Sequence, residues 1–211
     1  PWITPMDPYK GSMLRRLRHV GDATYWLGSD ELGRDMISRL MLGSRLSLFI
    51  GVTPVLIAFV IGSAIGILAG YVGGWTNTIL MRTIDVFFAF PSVLLAIALS
   101  GALGAGIFNS IVSLTCVFVP QIARVAESVT TGIRKRDYID AAKLSGASAL
   151  TIMRVQVLGN VVGPIFVYAT SLISVSMILA SGLSFLGLGV RPPEPEWGLM
   201  LNTLRTAIYV N

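Results

Sequence analysis

The sequence predicts an all-α protein, a polytopic bundle of membrane-spanning helices. Three observations carry that expectation. Hydrophobic residues make up 54% of the 211 residues and charged ones 13%, with a mean hydropathy of +0.74; soluble domains carry about 25% charged residues. Apolar runs long enough to cross a bilayer recur along the chain, beginning with the uncharged run Leu46–Val72. The polar residues are gathered into a few intervals, chiefly 1–45 and 124–154. A net charge of +5 suits basic loops beside lipid. It names no nucleic acid, because no basic stripe is interleaved with stacking aromatics. Cys116 is the single cysteine, so no internal disulfide can form. The lone His19 stands in a polar segment, where it reads as a solvated side chain.

In chain order, residues 1–45 read as an extramembrane segment with one short helix near 13–19. From Arg34 an amphipathic helix lies at the membrane surface, with Met36, Ile37, Leu40 and Met41 on its apolar side. The first span is 46–72. Gly62, Gly66 and Gly70 fall every fourth residue and make a smooth face, either a close helix–helix contact or the ordinary abundance of glycine in membrane helices. The second span is 78–103. Arg82 and Asp85 sit near its start as a local pair, and Pro91 kinks or restarts the helix. The third span is 107–126, interrupted by Pro120. A polar interval, 127–160, then separates it from the fourth span at 161–188, where Pro164 occupies the first turn. The prolines at 192, 193 and 195 force an extended surface loop within 189–211, Trp197 is placed as an interface anchor, and Leu199–Ala207 reads as a short helix.

The interval Asp137–Asn160, DYIDAAKLSGASALTIMRVQVLGN, is where the chain is organised for function. It reads as two short amphipathic helices with a corner at Ser145-Gly146, because glycine suits a sharp reversal. Ser148 is a candidate cap for the second helix. Broken, charged backbone of this kind cannot lie in lipid, so it projects into water or against another protein.

Asp140-Ala141-Ala142, three residues, then Gly146 resembles the EAA loop of ABC importer permeases: Glu-Ala-Ala, three residues, Gly, nine residues, Ile, any residue, Leu-Pro. The chain keeps Ala141, Ala142, Gly146 and Leu158, and departs at Asp140, Gln156 and Gly159. Two further strings resemble the peptide/nickel branch of that family. One is Leu27-Gly28-Ser29-Asp30, followed by Gly33-Arg34-Asp35 and Ser38-Arg39; the other is Gly182–Gly198, ending in Trp197-Gly198. The resemblance covers 25–211. It implies the fold of a type I ABC importer permease whose hairpin faces the cytoplasm, with 1–45 and 189–211 on the outer side. It also implies that the chain is a fragment without the first and last spans. The hairpin residues expected to meet an ATPase are Asp140, Ala141, Ala142, Leu144, Ser145, Gly146, Ala147, Ser148, Leu150 and Leu158. The outer motif is expected at Gly28, Asp30, Gly33, Arg34, Asp35, Trp197 and Gly198.

The sequence has no Gly-Lys-Ser/Thr phosphate loop, no metal-ligand cluster and no nucleophile–base pair. The chain is therefore expected to catalyse nothing and to bind no cofactor of its own. The resemblance implies ATP and Mg on two separate ATP-binding cassette subunits. Further expected partners are a second, homologous permease chain forming a heterodimer, a solute-binding protein outside the membrane, and the bilayer of a bacterial inner membrane. The implied solutes are di- and oligopeptides, nickel or glutathione. The alternative is a secondary transporter or channel driven by an ion gradient, which would need acids near the membrane midplane; Asp85 is the one acid associated with a span.

Overall fold

The computed structural model describes residues 4–205. Its α-helices are α1 (Met36–Val72), α2 (Gly74–Phe88), α3 (Ser92–Leu103), α4 (Ile107–Arg134), α5 (Asp137–Leu144), α6 (Ala149–Ile152), α7 (Leu158–Phe185) and α8 (Trp197–Arg205). A π-helical turn, Met153–Val157, joins α6 to α7, so that Ala149–Phe185 is one helix of 37 residues. Among the described residues three helices are long and apolar enough to cross a membrane: α1, α4 and Ala149–Phe185. Together, α2 and α3 pass the same test as a pair bent by 85°.

Several boundaries differ from the sequence expectation. No separate surface helix precedes the first span, because α1 runs unbroken from Met36 to Val72. Its polar first turns are simply the part capped by Asp35, whose carboxylate accepts from the Ser38 N–H (2.8 Å) and hydroxyl (2.6 Å). The second span is two helices, because Pro91 has no N–H to continue α2. Conversely, Pro120 does not interrupt α4, which continues to Arg134; the polar interval therefore starts later than 127. Pro164 lies inside α7, beyond its first turn, and the fourth span ends at Phe185 rather than 188. The expected helix near 13–19 is a 3-10 turn, Met13–Arg15. The C-terminal helix starts two residues early, at Trp197, because the Glu196 carboxylate caps it by accepting from the Leu199 N–H at 2.9 Å. Residue 207, where that helix was expected to end, lies outside the described residues.

The chain divides into two compact units. The first comprises Pro1–Gly51, Ile97–Ile111 and Met177–Asn211. Its N-terminal segment is clasped by Asp30, which is 4% exposed. One Asp30 oxygen accepts from the N–H groups of Leu32 and Arg34, both at 2.9 Å. The other takes Nε of Arg34 at 2.6 Å and pairs with Arg39 at 3.4 Å. Arg39 also donates to the Pro8 carbonyl (3.2 Å), and Ser38 accepts from the Met6 N–H (3.0 Å). The Tyr9 hydroxyl donates to Glu194 at 2.8 Å; burial first, then that carboxylate, raises the Tyr9 pKa. Burial of an ion cluster is tolerated only when each charge is met. Asp30→Asn keeps the backbone acceptor and removes the charge facing two arginines. The expected result is a loss of about 1–3 kcal/mol, read as a lower melting temperature and faster proteolysis before Met36.

The second unit comprises Val52–Ala96 and Val112–Ser176. Its core gathers Ala69 of α1, Met81 and Ile84 of α2, and Ala123 of α4, with Ile65 and Leu80 against them. The glycines of α1 do form a helix–helix contact. A Cβ built on Gly62 would meet the Val119 carbonyl at 2.9 Å, one on Gly66 the Ala123 carbonyl, and one on Gly70 the Glu127 carbonyl at 2.7 Å. Each step of four on α1 is thus matched by a step of four on α4, and the two backbones touch.

Candidate functional site: the 137–160 hairpin

The hairpin leaves α4 through Lys135 and Arg136, the latter donating its N–H to the Ile133 carbonyl at 2.9 Å. Asp137 and Asp140 occupy the first turn of α5 and Lys143 the last, the distribution that the helix dipole favours. Asp140 pairs with Lys143 at 2.8 Å, and both are exposed. Asp140 is thus paired within its own helix.

The corner has a defined hydrogen-bond closure. Gly146 has φ +79°. Its N–H donates to the Lys143 carbonyl at 3.0 Å, and the Ala147 N–H donates to the Ala142 carbonyl at 3.1 Å. Those two bonds make a Schellman motif, in which the left-handed residue is best a glycine. They explain the spacing Ala142, three residues, Gly146: the first residue offers the carbonyl that the corner closes on. Small residues at 142 and 147 let that closure form without crowding. Ser148 then caps α6, as the sequence predicts, its hydroxyl accepting from the Thr151 N–H at 3.2 Å. The hairpin therefore turns in four residues, 145–148, with each exposed end of helix satisfied locally.

The hairpin is held from within by Ile139, Ile152 and Val157, which are buried. Sequence reasoning names Ile152 and Val157 among the apolar positions after the corner, but not Ile139. Outward it presents Leu144, which is 89% exposed, and also Tyr138 and Leu150. Asp140, Ala141, Ser145, Gly146, Ser148 and Leu158 are exposed too, while Ala142 and Ala147 are half-buried against the corner. Eight of the ten predicted residues are thus exposed and two half-buried; Leu158 opens α7, beyond the π turn. A Cβ at Gly146 would meet nothing within 4 Å.

The outer-motif residues serve a different purpose. Gly28 (φ +78°) and Gly33 (φ +71°) bracket the loop around Asp30, and a Cβ on either would strike backbone, at Arg18 and Ser12 respectively. Arg34 and Asp35 complete the clasp and cap described above. Trp197, which the sequence places as an interface anchor, is tied to its own chain. Its indole N–H donates to the Leu40 carbonyl and its backbone N–H to Ser47 Oγ, both at 3.2 Å. Gly198 lies against Ser181 too closely for any side chain. Sequence reasoning missed Glu196, which is 2% exposed and accepts from Ser47 Oγ at 3.2 Å.

Among the described residues no group of three His, Cys, Asp or Glu side chains could hold a metal ion. Asp85 is engaged by Arg124 across to α4 and by Arg82 at 3.8 Å, so the sequence expectation of a purely local pair is incomplete.

Residues 62–210 match the family described as "Binding-protein-dependent transport system inner membrane component". The chain is 40% identical over 209 residues to a glutathione transport system permease protein of Pectobacterium atrosepticum, covering 99% of this chain and 69% of that protein. It is 40% identical over 213 residues to a di/tripeptide transport system permease protein of Pseudomonas aeruginosa, covering 99% and 70%. It is 41% identical over 209 residues to a glutathione transport system permease protein of Escherichia coli, covering 99% and 69%.

Proposed function

This chain belongs to the family of binding-protein-dependent transport system inner membrane components, and from that premise we propose that it is the permease subunit of an ATP-driven importer of small peptides, glutathione included. The observation that carries the reading is the exposed corner at 142–148. A self-satisfied, solvent-facing turn that exposes Leu144 fits a groove on another protein. ATP and Mg would be held by two ATPase subunits seated on this hairpin. A second, homologous permease chain would complete the pore, and a solute-binding protein would rest on the segment organised by Asp30 and Glu196. The chain itself would break no bond and bind no cofactor. Binding of ATP shifts the permease only so far as the ATPase docks more tightly to one of its states.

The support for the peptide class is that relatives across nearly the whole chain are named for glutathione and di/tripeptide transport. An ion-gradient mechanism is disfavoured because Asp85 is already paired with arginines. The test is uptake of a labelled dipeptide and of glutathione by inverted-control and right-side-out vesicles. Uptake that stops on ATP depletion and survives an uncoupler is expected; the reverse pattern overturns the reading.

A further inference from the structure

We propose that Arg124, through Asp85, is the positioning residue that makes α2 and the hairpin-bearing end of α4 move as one body about the Pro91 elbow. The inference deepens the transport reading and rests on it.

The first support is the cost of the two charges where they stand. Arg124 lies within α4, which is long and apolar enough to cross a membrane, and Asp85 within α2, which is so only as a bent pair with α3. Ionisable groups in such helices are costly unless paired. Asp85 also stands in the last turn of α2, where the helix dipole disfavours a negative side chain. Local structure does not require either residue. What they do is meet: Arg124 Nη2 donates to Asp85 Oδ1, with side chains 43% and 41% exposed. The Arg124 guanidinium also lies 6.0 Å from the centre of the Phe88 ring, so it grips the end of α2 twice.

The second support is where the pair sits relative to backbone weak points. Asp85 precedes the α2–α3 break, and its own carbonyl accepts the capping N–H of Ala89 at 3.1 Å. Beyond it, Pro91 gives the 85° bend. Arg124 follows Pro120 by one turn, and Pro120 leaves the Cys116 carbonyl without its helical donor. Asp85 therefore flanks the elbow at Pro91. Beside the elbow is a cleft of about 280 Å³, lined by Phe87, Phe90, Leu95, Val117, Pro120 and Gln121. It is room into which the elbow can close.

The third support is the rest of the α4 face. Below Arg124, Glu127 accepts from Asn77 Nδ2 of α2 at 2.6 Å, and Arg134 donates to the Val72 carbonyl at 3.2 Å. The opposite face of the same stretch is seated in the Gly62, Gly66 and Gly70 groove. From Arg124 downward α4 is thus fastened on both sides. Motion imposed at the hairpin is therefore delivered at the Pro91 elbow, provided the Arg124–Asp85 contact holds.

The test uses the assembled transporter in proteoliposomes and measures ATP hydrolysis and peptide uptake together. Arg124→Gln and Asp85→Asn are expected to lower uptake about tenfold while hydrolysis falls less than about twofold. The charge exchange Asp85→Arg/Arg124→Asp is expected to restore uptake substantially. Spin labels at exposed positions Val86 and Val93, flanking the elbow, should change separation with ATP in the wild type and not in Arg124→Gln. Wild-type uptake in both single variants overturns the inference, as does uptake and hydrolysis falling in parallel with no recovery in the exchange. If the wild-type assembly itself shows no ATP-dependent uptake, the importer reading fails, a result separable from either of these.

Discussion

Gly146→Asp is expected to strip the ATPase subunit from the purified transporter by more than about tenfold while leaving this chain folded in the membrane. The two halves of that expectation have separate causes. Within the chain, the added side chain meets nothing within 4 Å. The only internal cost is the left-handed backbone at φ +79°, about 1 kcal/mol for a non-glycine residue. Outside the chain, the same position is the apex of the exposed corner, beside Leu144. A carboxylate introduced there must be desolvated when the corner enters a groove, and an unpaired buried charge at an interface costs several kcal/mol. Gly146→Ala separates the two: it carries the backbone cost without charge or much bulk, so it should retain most of the ATPase. The measurement is the ratio of ATPase to permease after mild solubilisation and affinity purification, with a melting curve for each variant. An Asp variant that keeps its ATPase at the wild-type ratio would sink the role assigned to the corner.

Gly66→Leu should be still more damaging, and in a different way. The Cβ of any residue at 66 would overlap the Ala123 carbonyl and crowd the Ala126 side chain, its two nearest neighbours being parts of α4. Backbone cannot withdraw as a flexible side chain can. A leucine therefore has to push α1 and α4 apart along the whole matched ladder of Gly62, Gly66 and Gly70. The expected cost exceeds about 3 kcal/mol. With α4 displaced, the core around Ala69, Met81, Ile84 and Ala123 loses its close packing. The prediction is loss of the chain from the membrane fraction, or a cooperative melting transition that disappears. Gly101→Leu is the control, because a Cβ there meets nothing within 4 Å. Equal behaviour of the two variants would show that the glycine ladder is not what joins these helices.

Much of this was legible in the sequence, and the failures have definite causes. Helix existence was readable because apolar runs of membrane length admit few alternatives. The corner at Gly146 and the Ser148 cap were readable because both depend on interactions within a few residues. The boundaries were not. Pro120 looked like an interruption and Pro164 like a first-turn residue, yet both lie within continuous helix, which absorbs one missing N–H apiece. Pro91, chemically the same, ends its helix, so the difference is set by packing around each proline. Glu196 and the reach of Arg124 to Asp85 were invisible, because each depends on residues far apart in the chain. The outer motif was legible as a pattern but not as a function. Asp30 and Asp35 look like binding residues in a string; in three dimensions they tie down their own segment.

The unbroken helix from Ala149 to Phe185 has a mechanical consequence. At a rise of about 1.5 Å per residue, 37 residues make a rod about 55 Å long. A tilt of about 10° at one end of such a rod carries the other end about 10 Å, far more than a side chain can move by changing rotamer. Stiffness here replaces relay: no chain of soft contacts must be reset for displacement at the hairpin to be felt along this helix. A compliant place is the π turn at Met153–Val157, close to the driven end, where a small change in winding would alter the direction of the stroke without shortening the arm.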